Sequence, residues 1–362
     1  MFGVDAGLCN PERGNGLSDG IRNWLFRIGS FLIAGILLYL ALKNVDFDRV
    51  GKDLVGGRYI WVVPLIALTL LSHVIRAWRW RLLLCTLPNG NAGTKKISLR
   101  TSFYSLMIGY MANYAAPRIG EVVRSANFSA QENRPFGGVF GTVVAERILD
   151  VFSLGLALLT LPLVLGNRTG ALRPILFDPL SEFLAATPGW LMALIGLGFI
   201  FAILVVRILW KKLHHRRDES RFRHALESFR SGLSSLQRAE KPVALTVSTI
   251  LMWACYSLMA YLPLVIFDLT HLYHLTVWDA WGLMLLGSIG VVIPSPGGIG
   301  SYHYITIQSL VILFAVPQES AASYAIFTHA GQLILYVIVG FTSMLIEGAS
   351  WSDIMRAART DV

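Results

Sequence analysis

Long runs of apolar residues, separated by shorter polar segments, occupy most of the chain between residues 24 and 346. A helix needs about 20 predominantly apolar residues to cross the hydrocarbon core of a bilayer. By this criterion the pattern predicts about six transmembrane helices. Their predicted ranges are Trp24–Leu42, Tyr59–Leu84, Phe136–Leu165, Thr187–Val206, Val243–Phe267 and Ala321–Ile346.

Two further apolar segments are interrupted by proline and glycine, so neither fits a single crossing. Ser102–Ala116 offers only about fifteen residues before Pro117, and Ile119–Gln131 follows as a return arm. Ala280–Gln318 has no formally charged side chain apart from whatever charge His303 carries. Because proline lacks an amide donor and disfavours helical geometry in the preceding residue, each segment is predicted to form a re-entrant helical hairpin. The predicted backbone-break residues are Pro117, Gly120, Pro294, Pro296, Gly297, Gly298 and Gly300.

Composition agrees with an all-α integral membrane protein. Hydrophobic residues make up 54% of the 362 residues and charged residues only 15%, which is typical of a chain that crosses a membrane several times. The net charge of +9 resides largely in loops beside apolar segments, which indicates topology signals and contacts with anionic lipid rather than nucleic-acid binding. Cys9, Cys85 and Cys255 lack disulfide or metal-site spacing, and no cofactor or metal is predicted.

Lysine and arginine are concentrated on one side of the predicted topology. Segment 207–241 contains ten of them against four acidic residues, the strongest signal for a cytoplasmic loop. With six spans and two hairpins that do not cross, both termini are predicted to be cytoplasmic, and the alternative is eight full spans. The predicted organisation is a disordered cytoplasmic leader (1–20), one membrane domain (21–350) whose repeat halves (about 21–206 and 243–350) are joined by segment 207–241, and a cytoplasmic tail (351–362).

The two interrupted segments resemble each other in sequence. Leu106–Gly109 precedes the break at Pro117–Gly120, and Met284–Gly287 precedes the break at Pro296–Gly300. In the predicted topology the first hairpin enters from the cytoplasm and the second from outside. Oppositely directed, interrupted helices are the pattern of inverted-repeat transporters, whose substrate site lies where the breaks meet. The alternative is a pair of unrelated helix kinks, because proline and glycine are common in membrane helices.

Three charged residues, Glu146, Arg147 and Asp150, stand near the start of the apolar run 135–167. At about 2.5–3.5 kcal/mol for each charge at a helix centre, three uncompensated charges would cost about 8–10 kcal/mol. They are therefore predicted to pair, to face a wet cavity or to lie near the headgroups. A structural ion cluster and a site for a charged headgroup both fit this pattern. The predicted partners outside the trio are Arg118, Glu121 and Arg124.

The second predicted span carries basic residues in its later half, around Trp78 and Trp80. Arg79 and Arg81 are predicted to snorkel toward the headgroups, because tryptophan and arginine together mark a membrane interface. Arg76 and His73 lie deeper in the span, where a role in a site and a structural role are both open.

The chain resembles the integral-membrane, flippase-like region of bacterial lysylphosphatidylglycerol synthases over about residues 20–350. The resemblance implies movement of a phospholipid or lipid-linked headgroup between leaflets of the bacterial cytoplasmic membrane. The soluble catalytic region of the full synthases has no counterpart here, so synthase activity is not expected. Ser301-Tyr302-His303 stands where an acidic or small apolar residue usually follows the second break. The resemblance rests on Arg76-Ala77-Trp78-Arg79-Trp80, on Asn113 with Pro117–Arg124, on Glu146-Arg147 with Asp150, and on Pro296–Gly300.

The predicted substrate site combines arginines for a phosphate with carboxylates that hold those arginines or meet a cationic headgroup. Glycine-rich breaks would supply unpaired backbone groups. Because the chain has no P-loop, movement would be passive or coupled to an ion gradient. The predicted substrate-binding residues are Arg76, Asn113, Arg118, Glu121, Arg124, Glu146, Arg147, Asp150 and His303.

Two other functions remain open at the level of sequence. An intramembrane lipid-modifying enzyme could use His73, His303 and His329 with the carboxylates, although these histidines lack the spacing of metal ligands. A membrane partner that transports nothing could instead dock a soluble enzyme on its basic segment 207–241.

Overall fold

The computed structural model describes residues 29, 32, 34–87, 97–115, 119–171, 178, 227–238, 241–293, 295–352 and 354. Within these ranges the secondary structure is helical, with no β-strand. The predicted span Thr187–Val206, the leader, most of the tail, most of segment 207–241 and the break residues Pro117 and Pro294 lie outside the described residues.

Eleven helices are labelled here in chain order. Further short helical segments cover residues 227–233 and Leu269–Leu272. The labelled helices are α1 (34–42), α2 (Phe47–Gly56), α3 (Val62–Leu84), α4 (Leu99–Ala115), α5 (Ile119–Glu132), α6 (Phe136–Leu158), α7 (Leu161–Leu165), α8 (Pro242–Ile266), α9 (Val277–Val292), α10 (Ser301–Phe314) and α11 (Gln318–Glu347).

Four helical stretches among the described residues are long and apolar enough to cross a membrane, and they agree closely with four of the predicted spans. The first predicted span is described only in part, from α1 onward, and the fourth lies outside the described residues. Helix α9 is apolar but shorter. The four stretches are Tyr59–Leu84, Phe136–Leu165, Pro242–Ile266 and Gln318–Glu347.

Local sequence explains where several of these helices begin and end. Helix α8 starts with Pro242, whose fixed φ suits the first helical position. The Thr276 side chain accepts from the amide of Asp279, and the Asp279 carboxylate accepts in return from the Thr276 backbone amide, which forms a capping box on α9. Helix α11 ends at Gly348, which adopts the left-handed conformation at φ 61°.

Each interrupted segment folds as two helices packed against each other. Helices α4 and α5 form the first pair, and α9 and α10 form the second. The backbone of the second break is not helical. Gly297, Gly298 and Gly300 have positive φ values of 59°, 79° and 84°, a conformation that glycine adopts at little steric cost. The depth of either pair in a bilayer, and hence their re-entrant character, stays a prediction.

The order of elements repeats along the chain. A long helix, a packed helix pair and a second long helix occur as α3, α4–α5 and α6, and again as α8, α9–α10 and α11. Helices from the two sets interleave, since α3 packs on α8 and α4 packs on α11. The inverted relation of the two sets and the division of the chain into halves stay predictions.

The second break packs against the end of α4. A Cβ atom built on Gly297 would lie 2.8 Å from Cδ1 of Tyr114, three positions before Pro117 of the first break. Next to it, the backbone of Gly300 packs on Ala34 of α1, where an added Cβ would lie 2.2 Å from the carbonyl oxygen. The second break is thus fixed between α1 and α4 by contacts that leave no room for a side chain.

The distribution of polar groups is the reverse of that in a soluble protein. Val63, Val151 and Leu163 are 68%, 70% and 83% exposed, whereas Arg79 and Glu146 are fully buried. In water, large apolar side chains would be buried and charged ones exposed. Apolar outer faces around an ionic interior are what a lipid environment favours.

Candidate functional site

A single buried carboxylate, that of Glu146 on α6, lies among three arginines. Its Oε1 is 3.0 Å from Nε of Arg76 and 3.0 Å from Nη2 of Arg79, both on α3. Its Oε2 accepts a hydrogen bond of 2.6 Å from Nη2 of Arg124 on α5. Glu146 and Arg79 are fully buried, and Arg124 nearly so. Three helices are therefore joined through one side chain.

Asp150 extends this centre by one helical turn. Residues four positions apart share a helix face, so Asp150 and Glu146 point the same way from α6. Asp150 accepts hydrogen bonds from Arg76 and Arg79. Arg147 lies at the margin, 3.1 Å from Glu121 and 3.4 Å from Asp150. These side chains form what we call the ionic cluster: Arg76, Arg79, Glu121, Arg124, Glu146, Arg147 and Asp150.

The ionic cluster unites six of the nine residues predicted to bind substrate. Asn113 lies instead in the contact between α4 and α5, where its Oδ1 accepts from the amide of Gly120 at 2.8 Å. His303 lies beside the second break, with His329 as its neighbour. Arg118 lies outside the described residues.

The prediction that Arg79 snorkels to the headgroups is wrong. Its side chain is fully buried and its Nη2 contacts both Glu146 and Asp150. The physical reason is that Arg79 lies three positions after Arg76, on the same face of α3, and α3 packs that face against α6 and α8. Arg81 lies nearer the helix end, where its Nε donates to the carbonyl of Ile97 at 2.7 Å.

Charge within the ionic cluster is not fully balanced. Its four arginines and three carboxylates, all among the described residues, leave one formal positive charge. Nε and Nη1 of Arg124 are buried and have no hydrogen-bond partner within the described part of the chain. Buried guanidinium donors without acceptors are costly, and an anion is the group that would satisfy them.

The sequence matches a known protein family. The family model described as the lysylphosphatidylglycerol synthase TM region matches residues 27–340. The chain belongs to this family. The match confirms the resemblance seen in the sequence, and the protein is a multi-pass membrane protein.

Two curated relatives of this family member are archaeal membrane proteins. A UPF0104 membrane protein of Methanocaldococcus jannaschii is 26% identical over 324 residues, which cover 87% of this chain and 93% of the relative. A UPF0104 membrane protein of Methanothermobacter thermautotrophicus is 23% identical over 321 residues, which cover 83% and 88% of the two chains. No solved structure matches the chain.

In this member of the lysylphosphatidylglycerol synthase transmembrane family, the indole ring of Trp80 packs against Arg124 of the ionic cluster. The guanidinium carbon of Arg124 lies 4.7 Å from the centre of the indole ring, within the range of a cation–π contact. The indole Nε1 donates to Oγ1 of Thr142 at 3.0 Å, and the ring also contacts Phe128. Trp80 thus fixes the orientation of Arg124.

We expect Trp80→Phe to lower the free energy of unfolding by about 1–2 kcal/mol, because phenylalanine keeps an aromatic ring, although a smaller one, while the Thr142 hydroxyl loses its buried donor. Thermal unfolding of the purified protein in detergent measures the change. Trp278→Phe is the matched control, since Trp278 is 71% exposed and its replacement should leave the melting temperature unchanged. Equal melting temperatures for both variants would contradict a supporting role for Trp80.

Helix α8 separates two cavities, and one polar side chain of α8 links each cavity to the ionic cluster. Tyr256 lines a cavity of about 450 Å³, and its hydroxyl lies 3.3 Å from Nη1 of Arg76. Thr249 lines a cavity of about 910 Å³, and its Oγ1 accepts from Nη1 of Arg79 at 3.2 Å. Both cavities are lined mainly by apolar side chains. Each cavity is thus separated from an arginine of the ionic cluster by a single side chain.

Two of the three histidines noted in the sequence meet in the fold. The rings of His303 on α10 and His329 on α11 have centroids 4.8 Å apart. His73 on α3 lies in a separate aromatic group, with ring centroids 5.0 Å from those of Tyr110 and Tyr336. The sequence offered no spacing that predicts the histidine pair, because its members come from different helices.

Proposed function

We propose that this protein moves a phospholipid or lipid-linked headgroup bearing a phosphate across the membrane. The observation that carries the proposal is the set of buried, unpartnered donors on Arg124 within a cluster that has an excess positive charge. The N–H groups on Nε and Nη1 of this planar guanidinium can each donate to an anionic oxygen, and phosphate oxygens are strong acceptors of that kind.

The energetics of the ionic cluster favour a role beyond structure. Replacing a buried ion pair by well-packed apolar residues is often neutral or stabilising. If the only role of these side chains were to pack α3, α5 and α6 together, apolar residues could replace Arg76, Arg79 and Arg124. Ionisable groups inside a membrane protein are by default candidates for a functional site, and the unpartnered donors strengthen that reading here.

The solvent exposure of the side chains decreases from the margin of the ionic cluster to its centre, which supports a path for the headgroup. The side chains of Arg147 and Asp150 are 37% and 22% exposed, whereas Glu146 is fully buried. The larger cavity is lined by Leu149 and Ser153, the neighbours of Asp150 on α6. A headgroup that approaches past Arg147 would reach Arg124 while its hydrocarbon chain stays in this apolar cavity.

Lipid movement in reconstituted vesicles tests the proposal. Vesicles that contain fluorescently labelled phosphatidylglycerol are treated with an impermeant quencher, and the rate at which inner-leaflet label becomes accessible is measured. We expect Arg124→Lys to lower this rate at least about tenfold, because loss of one charge-assisted hydrogen bond costs about 1.5–3 kcal/mol and lysine cannot place donors where Nε and Nη1 stand.

The matched control for that experiment is Arg58→Lys. Arg58 forms an exposed ion pair with Asp268 at 3.1 Å, outside the ionic cluster, so its replacement should leave the rate unchanged. A wild-type rate in correctly inserted Arg124→Lys protein would count against the proposal. Chemical alteration of the labelled lipid, detected by mass spectrometry, would instead favour a lipid-modifying enzyme.

A further inference from the structure

The strongest unexplained feature outside the ionic cluster is the histidine pair, His303 and His329. Both residues are only 7% exposed. Nδ1 of His303 and Nε2 of His329 are buried without a hydrogen-bond partner among the residues that the structure describes. Two imidazoles in ring contact, each with an unused nitrogen, form an incomplete polar site.

The histidine pair lies against the second break. Cε1 of His329 is 3.9 Å from the position that a Cβ would take on Gly298. The ring of Tyr302 lies 5.6 Å from that of His329, and its hydroxyl is 3.0 Å from Oγ1 of Thr328. In transporters with interrupted helices, coupling ions bind at such breaks.

The position of the pair in the second set of helices parallels that of the ionic cluster in the first. Arg147 follows the first residue of α6 by 11 positions, and His329 follows the first residue of α11 by the same number. The first set carries arginine and carboxylate side chains there, whereas the second carries imidazoles, which can bind and release a proton.

The side chains in and around this contact are uncharged. Tyr302 of α10 contacts both rings, its hydroxyl is bonded to Thr306 and Thr328, and Tyr114 of α4 lies against Gly297 of the break. Within the described ranges, neither histidine takes part in an ion pair with a carboxylate. A metal ion would need more ligands than two imidazoles, whereas a proton binds the free nitrogen of either ring, and its charge disfavours a second proton on the neighbouring ring.

We propose that His303 and His329 together bind one proton, and that this proton is the coupling ion for lipid movement. The second half of this inference rests on the proposed function. One proton enters from the water on one side of the membrane, binds the pair, and leaves on the other side, and no bond of the lipid is broken.

One cavity connects the two sites. The cavity of about 450 Å³ is lined by Tyr302 and Thr328 beside the histidine pair, and also by Tyr256, whose hydroxyl contacts Arg76. Protonation of the pair places a positive charge beside Tyr302, which lines the cavity that borders the ionic cluster. An anionic headgroup in the cluster and a proton on the pair then attract each other, which links their binding.

Steady-state lipid distribution under a pH gradient tests the coupling. With one proton moved for each lipid, a gradient of one pH unit shifts the ratio of labelled lipid between leaflets by up to about tenfold. We expect the wild type to show this shift and His303→Gln, His329→Gln and the double variant to lose it, while each variant still allows lipid exchange without a gradient. His271→Gln is the control, because His271 is exposed and lies outside the pair.

A wild-type distribution that ignores the gradient, or a double variant that keeps the full shift, would overturn the inference. If the wild type moves no lipid at all, the proposed function fails, and proton binding is then decided separately. Nitrogen-15 NMR of labelled histidine in detergent should show signals of His303 and His329 that change together as pH is lowered. These signals are assigned by their loss in the single variants, and independent titration or no titration would overturn the proton site.

Discussion

Replacing Glu146 with alanine is expected to lower the free energy of unfolding by about 3–5 kcal/mol, the cost of removing one partner from a buried ion pair. Glu146 is the shared partner of Arg76, Arg79 and Arg124. Without it, Arg124 has no carboxylate partner among the described residues, and Arg76 and Arg79 keep Asp150 as their one carboxylate partner there. Such a loss is comparable with a large part of the stability of an ordinary domain, about 5–15 kcal/mol.

Reversible unfolding in mixed detergent micelles measures this loss. Glu146→Gln separates charge from shape, since glutamine fills the same space without the negative charge, and it should lose most of the same stability. Glu121→Gln is the matched control, because Glu121 is partly exposed and pairs with Arg147 at the margin of the cluster, where an ion pair contributes about 0–1 kcal/mol. Similar losses for Glu146→Gln and Glu121→Gln would show that Glu146 is not the centre of the cluster.

The ionic cluster was largely predictable because its parts carry local signals. Charged residues inside an apolar run must find partners, and spacings of three and four on a helix say which of them share a face. The sequence does not show which face of α3 is packed against α6 and α8. For that reason the tryptophan–arginine pattern predicts an interfacial position for Arg79, although its spacing of three from Arg76 puts both on one face of α3.

The histidine pair shows the opposite case. His303 and His329 belong to different helices, and only the packing of α10 on α11 brings their rings together. No spacing along one helix encodes such a contact. The unwound second break was predictable from its glycines and prolines, whereas the contact of Gly297 with Tyr114 depends on how the two sets of helices interleave.

Gly120→Val is expected to lower the free energy of unfolding by about 3 kcal/mol, at the upper end of the usual cost of overpacking. Helices α4 and α5 approach most closely here. A Cβ on Gly120 would lie 2.1 Å from the carbonyl oxygen of Gly109 and 2.6 Å from Oδ1 of Asn113. The first obstacle is backbone, which has no alternative rotamer, so the helices must separate. Separation also breaks the hydrogen bond from the Gly120 amide to Asn113.

The effect of Gly120→Val should extend to lipid movement. Arg124 is one turn further along α5, and its Cβ is already within 2.9 Å of the place that a Cβ on Gly109 would take. Moving α5 away from α4 therefore shifts Arg124 relative to Glu146. Gly155→Ala is the matched control, because Gly155 lies in α6 with open space around its Cβ position, and alanine there should change stability by no more than about 1 kcal/mol, in the favourable direction. Unchanged stability and an unchanged rate of lipid movement in Gly120→Val would contradict this prediction. The close contact between α4 and α5 would then not be needed to hold Arg124 against Glu146.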